Sequence, residues 1–209
     1  MLTLTEKMLK NAAATTEKKG GHYWYLQKVC ARGGYVYGTD THIMYRGKIN
    51  LSRDGLIEKD VAKKGHFTFN NENVDNYPKM DRCIPNDDVL PYLVEAKQKD
   101  LLSCAEALKQ FNRGQKLTYI TIMVHTNGGL TFKSGTMNYT NITINCNSNN
   151  YGLNKLYTIN LNPNYLVTAL KGFGKNDILK IGFNQSDLRP LKISKNDDQL
   201  YIITPIKVY

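Results

Sequence analysis

The side chains of this 209-residue chain most able to do chemistry are its cations. Lys and Arg number 28 against 18 Asp and Glu, a formal net charge of +10. A surplus of that size points to a polyanionic partner, nucleic acid first, the plainer alternative being a soluble protein with a basic surface. The positive side chains gather around three segments of helical apolar periodicity: Lys7 and Lys10 in the first, Lys97, Lys99, Lys109 and Arg113 around the second, Lys171 and Lys175 at the end of the third. Cations on a helix face contact phosphate oxygens without reading base edges.

Acid–base, metal and nucleophile chemistry finds little support. The four histidines, at 22, 42, 66 and 125, are scattered, with no HxE or HExxH spacing. Asp87-Asp88 and Asp197-Asp198 read as turn residues, Gly20-Gly21 as a helix stop and Gly128-Gly129 as part of a hairpin turn. The cysteines, at 30, 83, 104 and 146, lack the close spacing of a zinc or CxxC site and read as reduced, mostly core residues. No catalytic residue, metal or cofactor is expected. The N-terminus MLTLTEKMLK has no signal-like apolar run, and no window approaches the ~18 apolar residues of a membrane span. The expectation is a soluble, cytoplasmic protein that is not an enzyme.

The elements that must position these cations follow from periodicity. Residues 4–18 predict a helix with Leu4, Met8, Leu9 and Ala12 on one face. Strands are expected over His22–Val29, Tyr35–Thr39 and Ile43–Lys48, with a turn at Gly33-Gly34. Residues 50–66 carry no convincing helix, and His66–Asn70 reads as one more strand. Residues 71–92, with three of the six prolines, read as an extended connector. A second helix runs from Lys97 to Phe111, its inner stripe Leu101, Ala105, Leu108 and either Phe111 or Asn112. Strands follow at Tyr119–His125, Leu130–Lys133 and Asn141–Cys146, with a hairpin turn at Asn127-Gly128 and an Asn-rich loop over 145–154. After a strand at Leu156–Leu161, Asn162 caps a third helix with Pro163 in its first position and Tyr165, Leu166, Ala169, Leu170 and Phe173 as its apolar face. Strands Ile178–Phe183, Leu188–Ile193 and Gln199–Thr204 finish the chain. The pattern repeats weakly, one helix and three strands at a time, an α+β arrangement with helices on one face of curved antiparallel sheets.

Three segments, in order, carry a resemblance. GTDTHIM at 38–44 is similar to an ATDGHRL-type strand, YPKMDRCIP at 77–85 to an FPDYRRVLP-type linker, and NLNPNYLVTALKGF at 160–173 with the ending YIITPIKVY to an FNxxYLLDxLKAL helix and a VVMPMRL terminal strand. All three belong to the bacterial sliding clamp, the β subunit of DNA polymerase III. The chain resembles its middle and last domains in shortened form: 1–76 a shortened clamp-like domain, 77–87 a linker, 88–209 a clamp-like C-terminal domain. The family's first domain has no counterpart, and residues 50–70 stand where a complete strand–helix–strands unit should be.

The resemblance implies a DNA-clamp-like fold and a DNA replication accessory, or processivity factor, that binds duplex DNA and tethers a DNA polymerase or another replication protein through short linear motifs. Lys7, Lys10, Lys97, Lys109, Arg113, Lys171 and Lys175 become the DNA-binding candidates. In the family, partner peptides enter a pocket between the middle and last domains. Residue by residue, that pocket maps onto Thr39, Thr41, His42 and Met44, onto Pro85, and onto Ile202, Thr204, Pro205 and Ile206. Thr41 stands where the family has Gly and Thr204 where it has Met, changes that reshape the pocket. Met44 and Ile202 also admit a reading as plain core residues, as Tyr23-Trp24-Tyr25 does as a strand packed on a core. Assembly stays open: a trimer or dimer ring, an open dimer or a monomer. Two alternatives stand beside the clamp, a non-ring clamp-derived protein of a phage or mobile element that modulates replication or repair proteins, and a single-stranded-DNA-binding module using the Tyr-rich segments.

Overall fold

A computed structural model describes residues 3–18, 20–51, 53–70, 72–114, 118–126, 129–134, 141–144, 147–148, 156–184 and 186–208. The expected Asn127-Gly128 turn, most of the 145–154 loop and Cys146 lie outside the described residues. The chain divides into two compact units, Met1–Ile84 with Asp197–Tyr201, and Pro85–Asn196 with Ile202–Tyr209.

In the first unit, helix α1 (Leu4–Thr15) opens on a capping box. The Thr3 hydroxyl accepts from the Glu6 backbone N–H at 3.2 Å, and the Glu6 carboxylate accepts from the Thr3 N–H at 2.6 Å. At the other end the Thr15 and Thr16 hydroxyls donate to the Ala12 and Ala13 carbonyls, and Lys59 Nζ donates to the Thr16 and Glu17 carbonyls. These groups occupy acceptors the helix end leaves open. The helix therefore stops at Thr15, short of the expected 18.

Beneath α1 lies an antiparallel sheet in the order β4–β1–β2–β3, from β1 (Lys28–Arg32), β2 (Tyr35–Thr39), β3 (Ile43–Lys48) and β4 (Gly55–Glu58). Gly33 and Gly34 both take positive φ, 58° and 82°, in the two-residue turn between β1 and β2. One sheet face carries the cross-strand row Leu56, Cys30 and Tyr37, covered by Leu26 and Tyr77. Gly38 and Gly47 lie against α1 on the other face.

Three expectations change here. The strand expected over His22–Val29 is a 3-10 turn, Trp24–Gln27, and β1 starts only at Lys28. Residues 50–66, expected to hold no helix, contain β4 and the short helix α2 (Lys59–Lys63), which packs on α1. His66–Asn70 forms only a single bridge, Phe69 with Ile57.

In the second unit, β5 (Tyr92–Lys97) runs directly into α3 (Gln98–Phe111). Then come β6 (Ile120–Val124), β7 (Leu130–Ser134), β8 (Asn141–Ile144), β9 (Asn147–Ser148), β10 (Tyr157–Leu161), α4 (Pro163–Lys171), β11 (Ile178–Phe183) and β12 (Leu191–Asn196). The last strand, β13 (Gln199–Ile203), is divided, its first three residues counted with the first unit. The expected Leu188–Ile193 strand starts late because Ser186–Arg189 forms a turn.

Strand β5 is not among the elements expected from periodicity. With β5 present, strand–helix–strands occurs twice, and the two copies exchange strands. β5 pairs antiparallel with β11 of the second copy, and β10 of the second copy pairs with β6 of the first. The resulting sheets run β12–β11–β5–β9 and β10–β6–β7–β8. Helices α3 and α4 pack on one another, with buried Gln98 donating its side-chain N–H to the Leu170 carbonyl at 2.8 Å. The architecture is α+β, antiparallel sheets with helices packed against them. Among the described residues, no helix is long and apolar enough to cross a membrane.

Candidate nucleic-acid and peptide-binding residues

Asn162 accepts from the Asn164 N–H at 2.9 Å and Pro163 takes the first position, so α4 starts where local chemistry requires. Its last residue, Lys171, reaches Glu106 of α3 at 2.8 Å. The inner stripe of α3 ends on Asn112 rather than Phe111: Asn112 is buried and Phe111 is half-exposed. Asn112 donates to the Tyr119 carbonyl and accepts from the Ser134 hydroxyl, tying the end of α3 to the strands beyond it.

Three shallow depressions mark the α3–α4 surface. One holds Lys109 and Lys171 with Glu106 and Val167; a second holds Lys109 and Arg113 with Pro163 and Asn164; a third holds Lys99, Lys171 and Lys175 with Gln98 and Phe173. Four of the expected DNA-binding residues, Lys109, Arg113, Lys171 and Lys175, are thus brought onto one basic surface of the second unit. Lys99 joins them; its position in the second helix was legible in the sequence, its sharing of a depression with Lys171 and Lys175 was not. Lys97 sits apart, exposed at the β5–α3 junction and lining none of these depressions. In the first unit, Lys7 and Lys10 are half-buried on α1. The Thr3 backbone and hydroxyl hold the Glu6 carboxyl below its usual range, with Lys10 contributing to the same effect.

The 39–44 segment forms the β2–β3 turn. Asp40 Oδ1 accepts from the His42 and Ile43 N–H groups at 3.0 Å each, and the buried Thr39 hydroxyl accepts from the Thr41 N–H at 3.0 Å. Thr41 stands at φ 78°, the left-handed region that disfavours a β-branched residue. Thr41 and His42 are exposed, whereas Met44, 3% exposed, belongs to the core of its unit. A neighbouring cluster fastens the 77–85 segment. Tyr77 is buried, Arg32 donates to the Val74 and Tyr77 carbonyls, and Asp81 accepts from the Tyr37 hydroxyl and pairs with Arg46 at 3.4 Å. Burial, with Asp81 adding to it, pushes the Tyr37 phenol well up from its ordinary value.

In the second unit, Pro85 is half-buried and its carbonyl accepts from Lys192 Nζ at 3.2 Å, the same ammonium that meets Asp87 at 2.6 Å. Ile202 is 5% exposed, a core residue of its unit. Thr204 is exposed, and Pro205 and Ile206 are half-buried, the Ile206 N–H donating to the Asn160 carbonyl at 2.7 Å.

The Tyr23-Trp24-Tyr25 run does not pack as a strand. Tyr23 and Trp24 are 49% and 47% exposed, with Lys28 Nζ 5.1 Å from the centre of the Trp24 ring. Of the described cysteines, Cys30 and Cys104 are buried and Cys83 is exposed. Among the described residues, no group of three or more His, Cys, Asp and Glu side chains could hold a metal ion.

No protein-family model matches the chain, and no curated protein matches it. Solved structures do match its fold. The DNA polymerase III beta chain of Streptococcus pneumoniae superposes with a TM-score of 0.78 at 19% identity, covering 98% of this chain and 63% of that one. The beta subunit of Streptococcus pyogenes DNA polymerase gives 0.76 at 16%, covering 98% and 64%. The DNA polymerase sliding clamp of Bacillus subtilis gives 0.77 at 13%, covering 99% and 63%. The likeness is one of fold, and the chain spans less than two thirds of the length of these clamps.

Proposed function

We propose that this clamp-folded chain is a DNA replication accessory that holds duplex DNA without reading its sequence and tethers a polymerase or another replication protein. It performs no reaction of its own and works in the cytoplasm. The observation that carries the reading is the basic α3–α4 surface on a fold shared with sliding clamps. Four lysines and an arginine there suit phosphate contacts, which are salt-dependent and leave the protein able to slide. Residues 1–76 act as a shortened clamp-like domain, 77–87 as a linker and 88–209 as a clamp-like domain. Self-association into a dimer or trimer ring supplies processivity, because an enclosed duplex is released only at an end and a tethered partner works at high effective concentration.

Partner peptides engage the accessible candidates that each unit presents, Thr41 and His42 in the first unit and Pro85, Thr204, Pro205 and Ile206 in the second, while buried Thr39, Met44 and Ile202 support them from the core of their own units.

Retention on circular DNA tests the reading. A topological clamp stays on a nicked circle through a high-salt wash and leaves when the circle is cut. Equal loss from circular and linear DNA, with a monomeric mass in solution, favours instead a non-ring clamp-derived protein that modulates replication or repair factors. A further reading, single-stranded DNA binding, is favoured by the half-exposed Tyr23 and Trp24, since exposed rings offer bases a stacking surface. Preference for linear single strands over nicked circles, lost in Trp24→Ala, would select it.

A further inference from the structure

We propose that Glu106 tempers the grip of the α3–α4 surface on DNA by occupying Lys171 until a phosphate displaces it. The proposal rests on the reading of that surface as DNA-facing. Among the described residues lining the three depressions, Glu106 is the only acid, and it lines two of them. Its carboxylate lies 2.8 Å from Lys171 Nζ, and the two side chains are 45% and 59% exposed, so both are solvated and free to swing. Lys171 lines the same two depressions, between Lys109 on one side and Lys99 and Lys175 on the other.

An intramolecular carboxylate so placed competes with phosphate for the donors of Lys171. Each phosphate that meets Lys171 must displace Glu106, and Glu106 recaptures the ammonium when the phosphate leaves. The exchange lowers affinity and makes that contact short-lived. A protein that travels along DNA benefits from weak, quickly exchanged phosphate contacts, because tight ones hold it in place. Glu106 therefore sets how strongly the surface holds DNA without determining whether it does.

The test measures duplex affinity across a salt series for the full chain, with Glu106→Gln, Lys171→Ala, the double variant and Arg113→Ala. Glu106→Gln is expected to bind about fivefold more tightly at low salt, with the gain shrinking as salt rises, because salt also screens the Glu106–Lys171 pair in the parent chain. In the Lys171→Ala background the gain from Glu106→Gln should largely vanish. A gain that persists undiminished there overturns the proposal, since the carboxylate would then act by general repulsion. Unchanged or weaker binding by Glu106→Gln, while Arg113→Ala weakens binding, also overturns it and leaves the DNA-facing reading standing. No duplex binding by the parent chain, with no effect of Arg113→Ala, removes both.

Discussion

Gly38 of β2 lies so close to Ala12 of α1 that a β-carbon on the glycine would come within 1.9 Å of the Ala12 carbonyl oxygen. The obstacle is backbone and cannot rotate away. Gly38→Ala must push α1 off the sheet, and overpacking of this kind costs roughly 1–3 kcal/mol or more. Chemical denaturation should register that loss, with retained helix signal showing that the first unit still folds. Unchanged stability would mean that α1 is not seated on β2 as described.

Thr41→Gly should do the opposite. At φ 78° a β-branched side chain is strained, and glycine is not. The relief, offset in part by the greater freedom of an unfolded glycine, leaves a gain of about 1 kcal/mol. A raised denaturation midpoint with an unaltered slope would bear this out. A lowered midpoint would mean that the contact between the Thr41 hydroxyl and His42 Nδ1, 3.2 Å apart, outweighs the strain.

Asn112 carries a larger penalty. It is 1% exposed and joins the end of α3 to the Tyr119 carbonyl and the Ser134 hydroxyl. Asn112→Leu leaves both partners without it, at a cost of about 2 kcal/mol. Lys109 and Arg113 flank it, so the phosphate contacts should loosen as well. A thermal melt beside a duplex titration checks both effects, and a neutral outcome in the melt would refute the structural role.

Alkaline pH should destabilise the first unit. Burial pushes the Cys30 thiol up from 9.0 to about 12, and the buried phenols of Tyr37, Tyr45 and Tyr77 are raised as well. A folded-state value above the unfolded one means that the unfolded chain loses its proton first. Stability is then complete below about pH 9 and falls as pH climbs toward 12, by a few kcal/mol from Cys30 alone. Denaturation midpoints in that window should fall less steeply in Cys30→Ala. In the native chain near pH 8, a thiol reagent should label exposed Cys83 and spare Cys30, as mapped by peptide mass.

Duplex affinity should depend on the basic surface in a graded way. Lys109→Ala with Arg113→Ala removes two phosphate contacts and should reduce the log–log salt slope by about two, whereas Lys97→Ala, outside the depressions, should change it little. Equal effects at all three positions would point to net charge alone.

Short-range chemistry was legible in the sequence. The Asn162-Pro163 start of α4, the Gly33-Gly34 turn and the second helix through Phe111 follow from caps, φ preferences and periodicity, which act within a few residues. So did the clustering of cations around α3 and α4, and the motifs that pointed to the clamp fold. Other features depended on partners far along the chain. β5 is a strand because β11 pairs with it, Ile178 opposite Lys97 and Phe183 opposite Tyr92, and its six residues carry too little alternation to declare themselves. α2 has five residues, too few for a helical period, and holds its place against α1. Glu106 and Lys171 meet only when α3 packs on α4, and Tyr23 and Trp24 stay exposed because the chain there takes a 3-10 turn instead of joining the sheet. Local sequence determines the well-capped helix starts and tight turns, such as Asn162-Pro163 and Gly33-Gly34. The tertiary structure decides strand partners, register and which charges face one another, because those energies belong to pairs of residues and not to either one alone.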